Sequence, residues 1–473
     1  MKKFDTEIVS GSVLRSVWKL AWPVILLNLT NGVHSFADHI MIGRFVESQD
    51  NAANAAVGVA WQVFLVMVVF VASIFHGMNV LVARYAGRQE REKMSEVVYH
   101  SFLAALFVLV FVAGPVGYFS APWLLQFVSA DEEVMRHALP YLRILFTSGA
   151  GIFLVFMFTG AFHASGEPKV PLMLGFLSTI MNVVISYFLI TGYGPFPTLG
   201  VNGAAIGTVI APFFSVAIAI SLIMRGKVLI RPPKKYVFLP DWNILRVSLR
   251  IGIPSGIQGV LLNIGGVFLM VFVASLGAAA QAAYTICYGQ LFAIITWASF
   301  GLRAASATVM GQNIGAGDPE RGKRAVAVAA YLGTGWAILL GLVFYQFPEF
   351  LLGLFDASEG PVFYYGSSLL NYLSLSGIAV AVTLALTGGL QGAGATKIPM
   401  YIAFLTQIVI LLGFCGFFYA IDALSAEIVW LSILISHTSR LFLTFLVFRT
   451  NAWIHTKVEI SNLDDDADSS LPT

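Results

Sequence analysis

The sequence predicts an all-α, polytopic membrane protein with twelve transmembrane helices in two pseudo-symmetric six-helix bundles. Only 11% of its 473 residues are charged and the mean hydropathy is +0.82, whereas a soluble domain carries about 25% charged residues. Apolar segments of membrane-spanning length recur throughout the chain,. An internal repeat relates the first half of the chain to the second half.

Twelve apolar segments are each long enough to cross about 30 Å of hydrocarbon as a helix. A helix pairs its own backbone groups in lipid, and the segments are too long for the strands of a membrane barrel. The predicted spans are residues 16–45, 55–82, 96–119, 139–164, 168–192, 201–225, 247–275, 279–310, 323–346, 363–390, 398–421 and 427–449.

Lysine and arginine are concentrated in alternate connections between these spans, as in residues 84–93 and 225–235. The other connections carry mainly aspartate and glutamate, as in residues 131–133. Because basic loops stay on the cytoplasmic side, we expect a multi-pass protein of the inner (plasma) membrane with both termini in the cytoplasm. The even number of spans agrees with this orientation.

The repeat predicts two lobes of six helices each. Ala161–Leu174 is similar to Gly389–Ile402 at an offset of 228 residues, and Pro23 has a counterpart in Pro254 at an offset of 231. Transporters built from parallel repeats bind their substrate near the bilayer midplane. The predicted domains are an N-lobe (1–225), a cytoplasmic linker (226–246), a C-lobe (247–450) and a polar, acidic cytoplasmic tail (451–473).

Asp38 is the only acidic residue deep inside any predicted span. A charge in hydrocarbon costs on the order of a few kcal/mol, so a carboxylate at this depth indicates a proton or ion site. Asn31 and His34 or Ser35 precede it at steps of three or four and share one helix face,. We interpret this face as part of a substrate cavity. A structural carboxylate held by neighbouring hydroxyl or amide groups is the alternative.

Four motifs resemble the multidrug and toxic compound extrusion (MATE) family. They are VMGQNIGAGDPERGKRAV (Val309–Val326), DHIMIGRF (Asp38–Phe45), AAVG (Ala55–Gly58) and GAGATKIP (Gly392–Pro399). The resemblance extends over about residues 15–450. It implies the MATE fold of two six-helix lobes and the export of organic cations and other drugs in exchange for protons or sodium.

The chain resembles the DinF-like branch of the family most closely, and this implies a set of ion-coupling residues. Asp38 follows Pro23 by fifteen residues, as in that branch, and Asn182 and Thr208 match its polar positions in the fifth and sixth helices. Ser186 stands where the branch has a second aspartate. The resemblance therefore implies ion coupling at Asp38, Asn182, Ser186 and Thr208, with a possible sodium site at Asp38, Asn182 and Thr208.

The lost carboxylate weakens a sodium site more than a proton site, so we expect H⁺ (or Na⁺) as the coupling ion. The NorM-like branch places carboxylates in the seventh and tenth helices, at positions that are Leu262 and Val380 here. The C-lobe carboxylate site of that branch is therefore missing.

Two further residues are candidates for function. Pro23 leaves a backbone carbonyl unpaired inside the first span and permits a hinge, although a static kink fits equally well. Arg303 can extend to the membrane interface, or it can line the cavity of the C-lobe and bind an anionic group.

The predicted function is a secondary active multidrug efflux antiporter that exports organic cations or other amphipathic compounds. A lipid-linked saccharide flippase, or an exporter of an anionic metabolite using Arg303, is the alternative. The sequence contains no reactive residue cluster and no nucleotide-binding loop,. We therefore expect that the protein is not an enzyme, that it has no cofactor and that it has no nucleic-acid partner. We expect a monomer in the lipid bilayer that takes small-molecule drugs or metabolites. Cys287 and Cys415 lie in apolar segments and are expected to be buried free thiols.

Overall fold

A computed structural model describes residues 3–46, 52–127, 132–456 and 458 of the chain. All regular structure in these residues is helical. In the first half the longer helices are α1 (Val13–Phe45), α2 (Ala52–Gly87), α3 (Arg91–Phe127), α4 (Glu132–Ser148), α5 (Ala150–Ala164), α6 (Lys169–Thr191) and α7 (Val201–Met224). In the second half they are α8 (Trp242–Ser275), α9 (Ala278–Gly315), α10 (Pro319–Gln346), α11 (Gly360–Gly392), α12 (Lys397–Ala420) and α13 (Ala426–Thr450).

Each predicted span coincides with helical structure. Within the described residues, nine helices are long and apolar enough to cross a membrane, and α4 with α5 forms a tenth, bent span. Helices α1 and α2, with 33 and 36 residues, correspond to the first two predicted spans. The all-α, polytopic fold class predicted from the sequence is confirmed.

The fourth span differs from the single helix predicted over residues 139–164. It begins at Glu132 and is broken at Gly149, where α4 and α5 meet at an angle of 51°. Gly149 has ψ near 1° and leaves the helical conformation. A glycine between two helices is a common cause of such a bend.

The described helices divide into two compact units. The first consists mainly of Leu26–Gly252, and the second of Asp5–Ile25 with Ile253–Val458. These boundaries differ from the predicted lobes, which put residues 5–25 in the N-lobe and residues 247–252 in the C-lobe. The beginning of α1 packs in the second unit, and the beginning of α8 packs in the first.

Close contacts at two glycines explain this exchange of helix ends. In the first unit a Cβ atom on Gly77 of α2 would lie 1.9 Å from the backbone oxygen of Ser248 in α8. In the second unit a Cβ atom on Gly301 of α9 would lie 3.1 Å from the backbone nitrogen of Ile25 in α1. Glycine lets helix backbones approach closely where lipid gives no hydrophobic driving force for association.

Aromatic and aliphatic side chains form the core of each unit. In the first unit Phe64 packs on Phe146 and Phe153 with ring centroids 5.7 Å apart in both pairs. In the second unit Tyr284 stacks on Trp430, which is fully buried. Cys287 and Cys415 are buried free cysteines in that unit, as predicted.

The predicted cytoplasmic linker has two parts that differ in burial. Val228–Ile230 is buried in the first unit, where the Leu229 backbone N–H donates a hydrogen bond to Glu167 Oε2 (2.7 Å). Phe238 and Leu239 are exposed by 94% and 81%. The linker is also shorter than predicted, because α8 already begins at Trp242.

We predict that Gly388→Ala destabilises the second unit. A Cβ atom at this position would lie 2.2 Å from the backbone oxygen of Arg303, so α9 and α11 must separate. Overpacking of this kind costs about 1–3 kcal/mol, and the midpoint of thermal unfolding in detergent should fall. Gly266→Ala is the matched control, because no atom lies within 4 Å of its added Cβ. Alanine is the better helix former by about 1 kcal/mol, so this control should keep or raise the midpoint; equal loss in both variants would contradict the packing argument.

Candidate functional site

A buried polar cluster lies in the first unit, where α1, α6 and α7 meet. It contains Asp38 from α1, Asn182 and Ser186 from α6, and Thr208 from α7. Asp38 and Thr208 are 6% and 5% exposed, and Asn182 and Ser186 are fully buried. The structure therefore brings together the four residues that the sequence analysis assigned to ion coupling.

Hydrogen bonds connect three of these side chains in series. Asn182 Nδ2 donates to Thr208 Oγ1 at 3.3 Å, and Thr208 Oγ1 donates to Asp38 Oδ2 at 3.5 Å. The second bond is at the long end of the range for a hydrogen bond. A buried carboxylate is thus linked to a hydroxyl and an amide, which are neutral groups.

Two oxygen atoms of the cluster lack a hydrogen-bond partner among the described residues. Asn182 Oδ1 and Ser186 Oγ are buried and form no hydrogen bond with any other described residue. Buried polar atoms are nearly always paired, so each exception needs an explanation. Oxygen atoms beside a carboxylate are suited to a hard cation such as Na⁺ or to a hydrated proton site.

The sequence around Gly203 and Gly207 explains why α6 and α7 come so close. The two glycines are four residues apart on one face of α7, and Cβ atoms on them would lie 2.6 Å from the Leu189 backbone carbonyl carbon and 2.2 Å from Ser186 Oγ. This is the close packing that glycines at a spacing of four permit between membrane helices. The contact places Thr208 next to the polar face of α6.

Tyr141 belongs to the same cluster, although sequence reasoning missed it. Its side chain is 2% exposed and lies beside Thr208 and Asp38. A tyrosine with a polar tip is an ordinary feature of an apolar helix. Its place directly after Pro140 was the only local signal, and that signal does not indicate a partner.

The remaining N-terminal predictions have different outcomes. The side chains of Asn31, His34 and Ser35 lie outside the part of the chain that the structure describes. Pro23 is buried within α1, and the helix continues through it. The boundary between the two units falls between Ile25 and Leu26, two to three residues after this proline.

Arg303 lies in the second unit and points to neighbouring glutamines. Its Nε and Nη2 atoms donate to Gln391 Oε1 at 3.0 and 2.8 Å, and Gln391 Nε2 donates to Gln258 Oε1 at 3.0 Å. The side chain therefore takes the inward orientation, and does not extend along its helix to the membrane interface. The Asp38 cluster does not include it.

Arg440 is a second arginine of this unit that the sequence analysis did not single out. Its Nε donates to Thr406 Oγ1 at 3.0 Å and its Nη2 donates to Gln407 Oε1. A signal was available, because the Arg440 position is well inside an apolar segment. Leu262 and Val380, the positions of carboxylates in the NorM-like branch, are partly exposed apolar residues of α8 and α11.

Within the described ranges no group of three histidine, cysteine, aspartate or glutamate residues is placed to hold a metal ion. A carboxylate in this setting can bind and release one monovalent cation. Such binding neutralises the carboxylate and changes the hydrogen-bond partners of Thr208 and Asn182. This is a suitable basis for coupling an ion gradient to a conformational change.

We predict that Thr208→Val lowers the stability of the first unit by about 1–3 kcal/mol, because it leaves the buried Asn182 amide group without its acceptor. Valine keeps the shape of threonine and removes only the hydroxyl group. Thr147→Val is the control, since this exposed hydroxyl bonds only to carbonyls of its own helix. Thermal unfolding in detergent should show a lower midpoint for Thr208→Val alone, and an equal effect of the two variants would argue against the network.

Comparison with known proteins identifies the family of this chain. The MatE family matches residues 23–188 and 254–415. The chain is 24% identical over 396 residues to a Thermotoga maritima protein called "Probable multidrug resistance protein NorM", covering 83% of each chain. It is 27% identical over 347 residues to the Bacillus subtilis "Probable multidrug resistance protein YoeA", covering 73% of this chain and 74% of that relative.

Solved structures agree at the level of the fold. A crystal structure of MATE in complex with MaD5 superposes with a TM-score of 0.85 at 20% identity, over 98% of this chain and 100% of that one. A Pyrococcus furiosus transporter of the MOP superfamily, for which reverse polarity of the binding pocket is said to suggest a different function, also has a TM-score of 0.85 at 20% identity; the match covers 95% of this chain and 98% of that one.

The match to the family covers more than half of the chain and includes both repeats. Members of this family are multi-pass membrane transporters rather than enzymes, they carry small molecules, and ion gradients drive them. The twelve-helix fold, the membrane location and the absence of enzymatic function predicted from the sequence agree with this assignment. The chain belongs to the MatE family of multidrug efflux transporters.

Proposed function

We propose that this protein exports amphipathic small molecules, organic cations among them, in exchange for a cation that binds at Asp38. The observation that carries the proposal is the buried Asp38 carboxylate, linked through Thr208 to Asn182. A carboxylate at membrane depth in a transporter is a functional site by default, because its burial is costly.

In the proposed cycle, the cation and the cargo alternate at the first unit. Uptake of a cation neutralises Asp38, weakens its attraction for a positively charged cargo and favours release of that cargo. Loss of the cation restores the negative charge and favours binding of the next cargo. Such a scheme needs a differential affinity of the two ligands for two conformations of the protein. Pro23, at the point where α1 passes from one unit to the other, is the proposed hinge.

The proton is our first choice of coupling ion. A single carboxylate can bind and release a proton without further ligands, and Ser186 contributes no second charge. Sodium is the second candidate, and the unpartnered oxygens Asn182 Oδ1 and Ser186 Oγ support it. Together with Asp38 and Thr208 they offer the hard oxygen ligands that such an ion requires.

The setting of the protein is part of the same proposal. The distribution of lysine and arginine supports a location in the plasma membrane with both termini in the cytoplasm. A monomer is the proposed working form. Two predicted lobes of residues 1–225 and 247–450 remain the proposed functional halves, with exchanged ends at α1 and α8.

An anionic cargo is the second candidate function. Arg303 supports it, because its bonded partner in the second unit is the neutral side chain of Gln391 and not a carboxylate. A neighbour with the same fold has been described as having a binding pocket of reverse polarity. A flippase for lipid-linked saccharides has no comparable support in the described residues.

We predict that Asp38→Asn abolishes gradient-driven efflux from proteoliposomes. The substitution keeps the volume of the side chain and removes its charge and its titration. Efflux of a fluorescent organic cation would be measured under a pH gradient and, separately, under a sodium gradient. Efflux driven by the pH gradient in the wild type supports proton coupling, and efflux driven only by sodium supports the second ion.

Glu167→Gln is the matched control for this measurement. Glu167 is a carboxylate of the same unit with the same exposure, 6%, but it binds the Leu229 backbone N–H and lies outside the Asp38 cluster. We expect it to retain gradient-driven efflux. An Asp38→Asn variant that is as active as the wild type would refute the proposed coupling site.

We also predict that Ser186→Asp increases the dependence of transport on sodium. A second carboxylate beside Asp38 attracts a cation by several kcal/mol at an effective dielectric constant near 20, part of which is lost to desolvation. The sodium concentration for half-maximal efflux should therefore fall about ten-fold or more. Ser186→Asn is the control, because asparagine is similar in size to aspartate but carries no charge. An unchanged sodium dependence in both variants would rule out sodium at this cluster.

A further inference from the structure

The second unit contains two arginines at membrane depth without a matching negative charge. Arg303 lies in α9 and Arg440 in α13. The six helices α8–α13 contain only two acidic residues, Glu320 and Glu427, each in the first turn of its helix. Within the described part of the chain, neither arginine forms an ion pair with a carboxylate.

Arg440 lies well inside its helix. It follows Ala426 by fourteen residues and precedes Thr450 by ten, which corresponds to roughly 21 Å and 15 Å of helix. An arginine side chain cannot extend over either distance to the interface. Arg440 is nevertheless partly exposed. Because a guanidinium group in contact with hydrocarbon is strongly disfavoured, its charged end needs polar surroundings inside the protein.

Two π-helical segments lie next to Arg440. Its two acceptors, Thr406 and Gln407, lie in the π-helical segment Phe404–Leu412 of α12. Tyr288, which lies near its charge, belongs to a second π-helical segment, Thr285–Leu291 of α9. Such segments occur frequently at functional sites, because they displace side chains from the regular helical register.

His437 provides a further unsatisfied group one turn before Arg440. The imidazole ring is 8% exposed and stacks on Phe292 with an interplanar angle of 7°. Its Nδ1 atom forms no hydrogen bond with any other described residue. Arg440 itself uses two of its five N–H groups in the bonds to Thr406 and Gln407,. Several donors and no carboxylate acceptor are therefore gathered on one face of α13.

Helix α8 connects this position with Arg303. Gln258 accepts a bond from Gln391, the partner of Arg303, and Gly265 lies seven residues further along the same face,. A Cβ atom on Gly265 would lie 2.2 Å from Cγ of Gln407, the partner of Arg440. The two contacts of α8 with the partners of the arginines are thus about 10 Å apart along its axis.

We propose that the second unit contains an anion-binding site, centred on Arg440 and assisted by His437, for the carboxylate, sulfonate or phosphate group of an amphipathic ligand. The neutral oxygens of Thr406 and Gln407 orient the guanidinium group but leave its charge uncompensated. An anion supplies the missing negative charge and accepts hydrogen bonds from the free N–H groups, as in bidentate arginine sites. The depth of Arg440 excludes the head group of a bilayer lipid in its ordinary position.

This inference rests on the proposed function only where the anion is treated as cargo. Binding itself needs no gradient and no turnover. The apolar side chains around the site, such as Tyr288 and Phe292, favour an anion with an aromatic body. The site would extend the range of cargo to organic anions, in a region separate from Asp38.

The test is equilibrium binding to the full-length protein in detergent, measured by fluorescence anisotropy. The probes are fluorescein, an anion, and a cationic rhodamine ester with the same xanthene ring. Arg440→Met should weaken fluorescein binding about thirty-fold or more, as expected when one partner of a buried charge pair is removed. Binding of the rhodamine ester should stay the same or become tighter.

Arg449→Met is the control, because it removes the same charge in the last turn of the same helix, where the Arg449 guanidinium lies over the ring of Phe445. It should bind fluorescein as the wild type does. Equal fluorescein affinity in the wild type and in Arg440→Met, or an equal loss in both variants, would overturn the site. If Arg440→Met does not fold, His437→Phe replaces it; this change keeps the stacked ring, removes its nitrogen atoms and should weaken fluorescein binding several-fold, and an unchanged affinity would overturn the proposal.

The same measurement on Asp38→Asn separates this proposal from the proposed function. Because fluorescein binding needs no ion gradient, the variant should bind fluorescein normally even if it fails to transport. Normal gradient-driven efflux of organic cations by Arg440→Met, with loss of fluorescein binding, would support both conclusions independently.

Discussion

Close approach of helix backbones at glycine residues is the constraint on which the polar sites of this protein depend. Gly207 lets α6 and α7 meet at Ser186, Gly388 lets α11 reach the backbone of Arg303, and Gly265 receives the side chain of Gln407. A polar side chain in a membrane protein needs a partner within hydrogen-bond distance, because lipid offers none. Glycine permits this proximity because it has no side chain, and it forms no side-chain interaction itself. Each polar cluster therefore lies beside a glycine contact.

The two compact units carry opposite charge in the middle of their membrane helices. The first contains Asp38, connected through Thr208 to Asn182. The second contains Arg303 and Arg440, whose bonded partners are glutamines and a threonine. A cation is therefore attracted to the first unit and an anion to the second. One transporter with both polarities has a physical basis for accepting cargo of different charge. In the proposed function, an ion and a cationic cargo compete in the first unit.

The prolines of the two repeats lie where the chain passes between the units. The unit boundary follows Pro23 in α1, and in α8 it lies just before Pro254. A proline inside a helix removes one backbone hydrogen bond and weakens the helix locally. The end of each helix can then pack with a different set of partners from the rest of it. Gly77 against Ser248 and Gly301 against Ile25 show the same solution in the two repeats.

The sequence by itself determined the class of fold, the number and approximate limits of the spans, the repeat, and the presence of a carboxylate, Asp38, at membrane depth. Apolar length and the cost of a buried charge are local properties, and they can be read from composition and spacing. The sequence also identified Asn182, Ser186 and Thr208, but only through the resemblance of their positions to a family. Tyr141 gave no comparable signal, because an aromatic residue in an apolar segment has no preferred partner. Arg440 stands out as a basic residue in an apolar segment, but its partners do not follow from the sequence.

Only the tertiary structure decided which side chains meet and which compact unit contains each end of α1 and α8. It turned Arg303 towards Gln391, brought Arg440 to Thr406 and Gln407, and broke the fourth span at Gly149. These outcomes depend on contacts between residues far apart in the chain. Helical periodicity gives the face on which a residue lies, but the partner of that face is chosen by packing between helices.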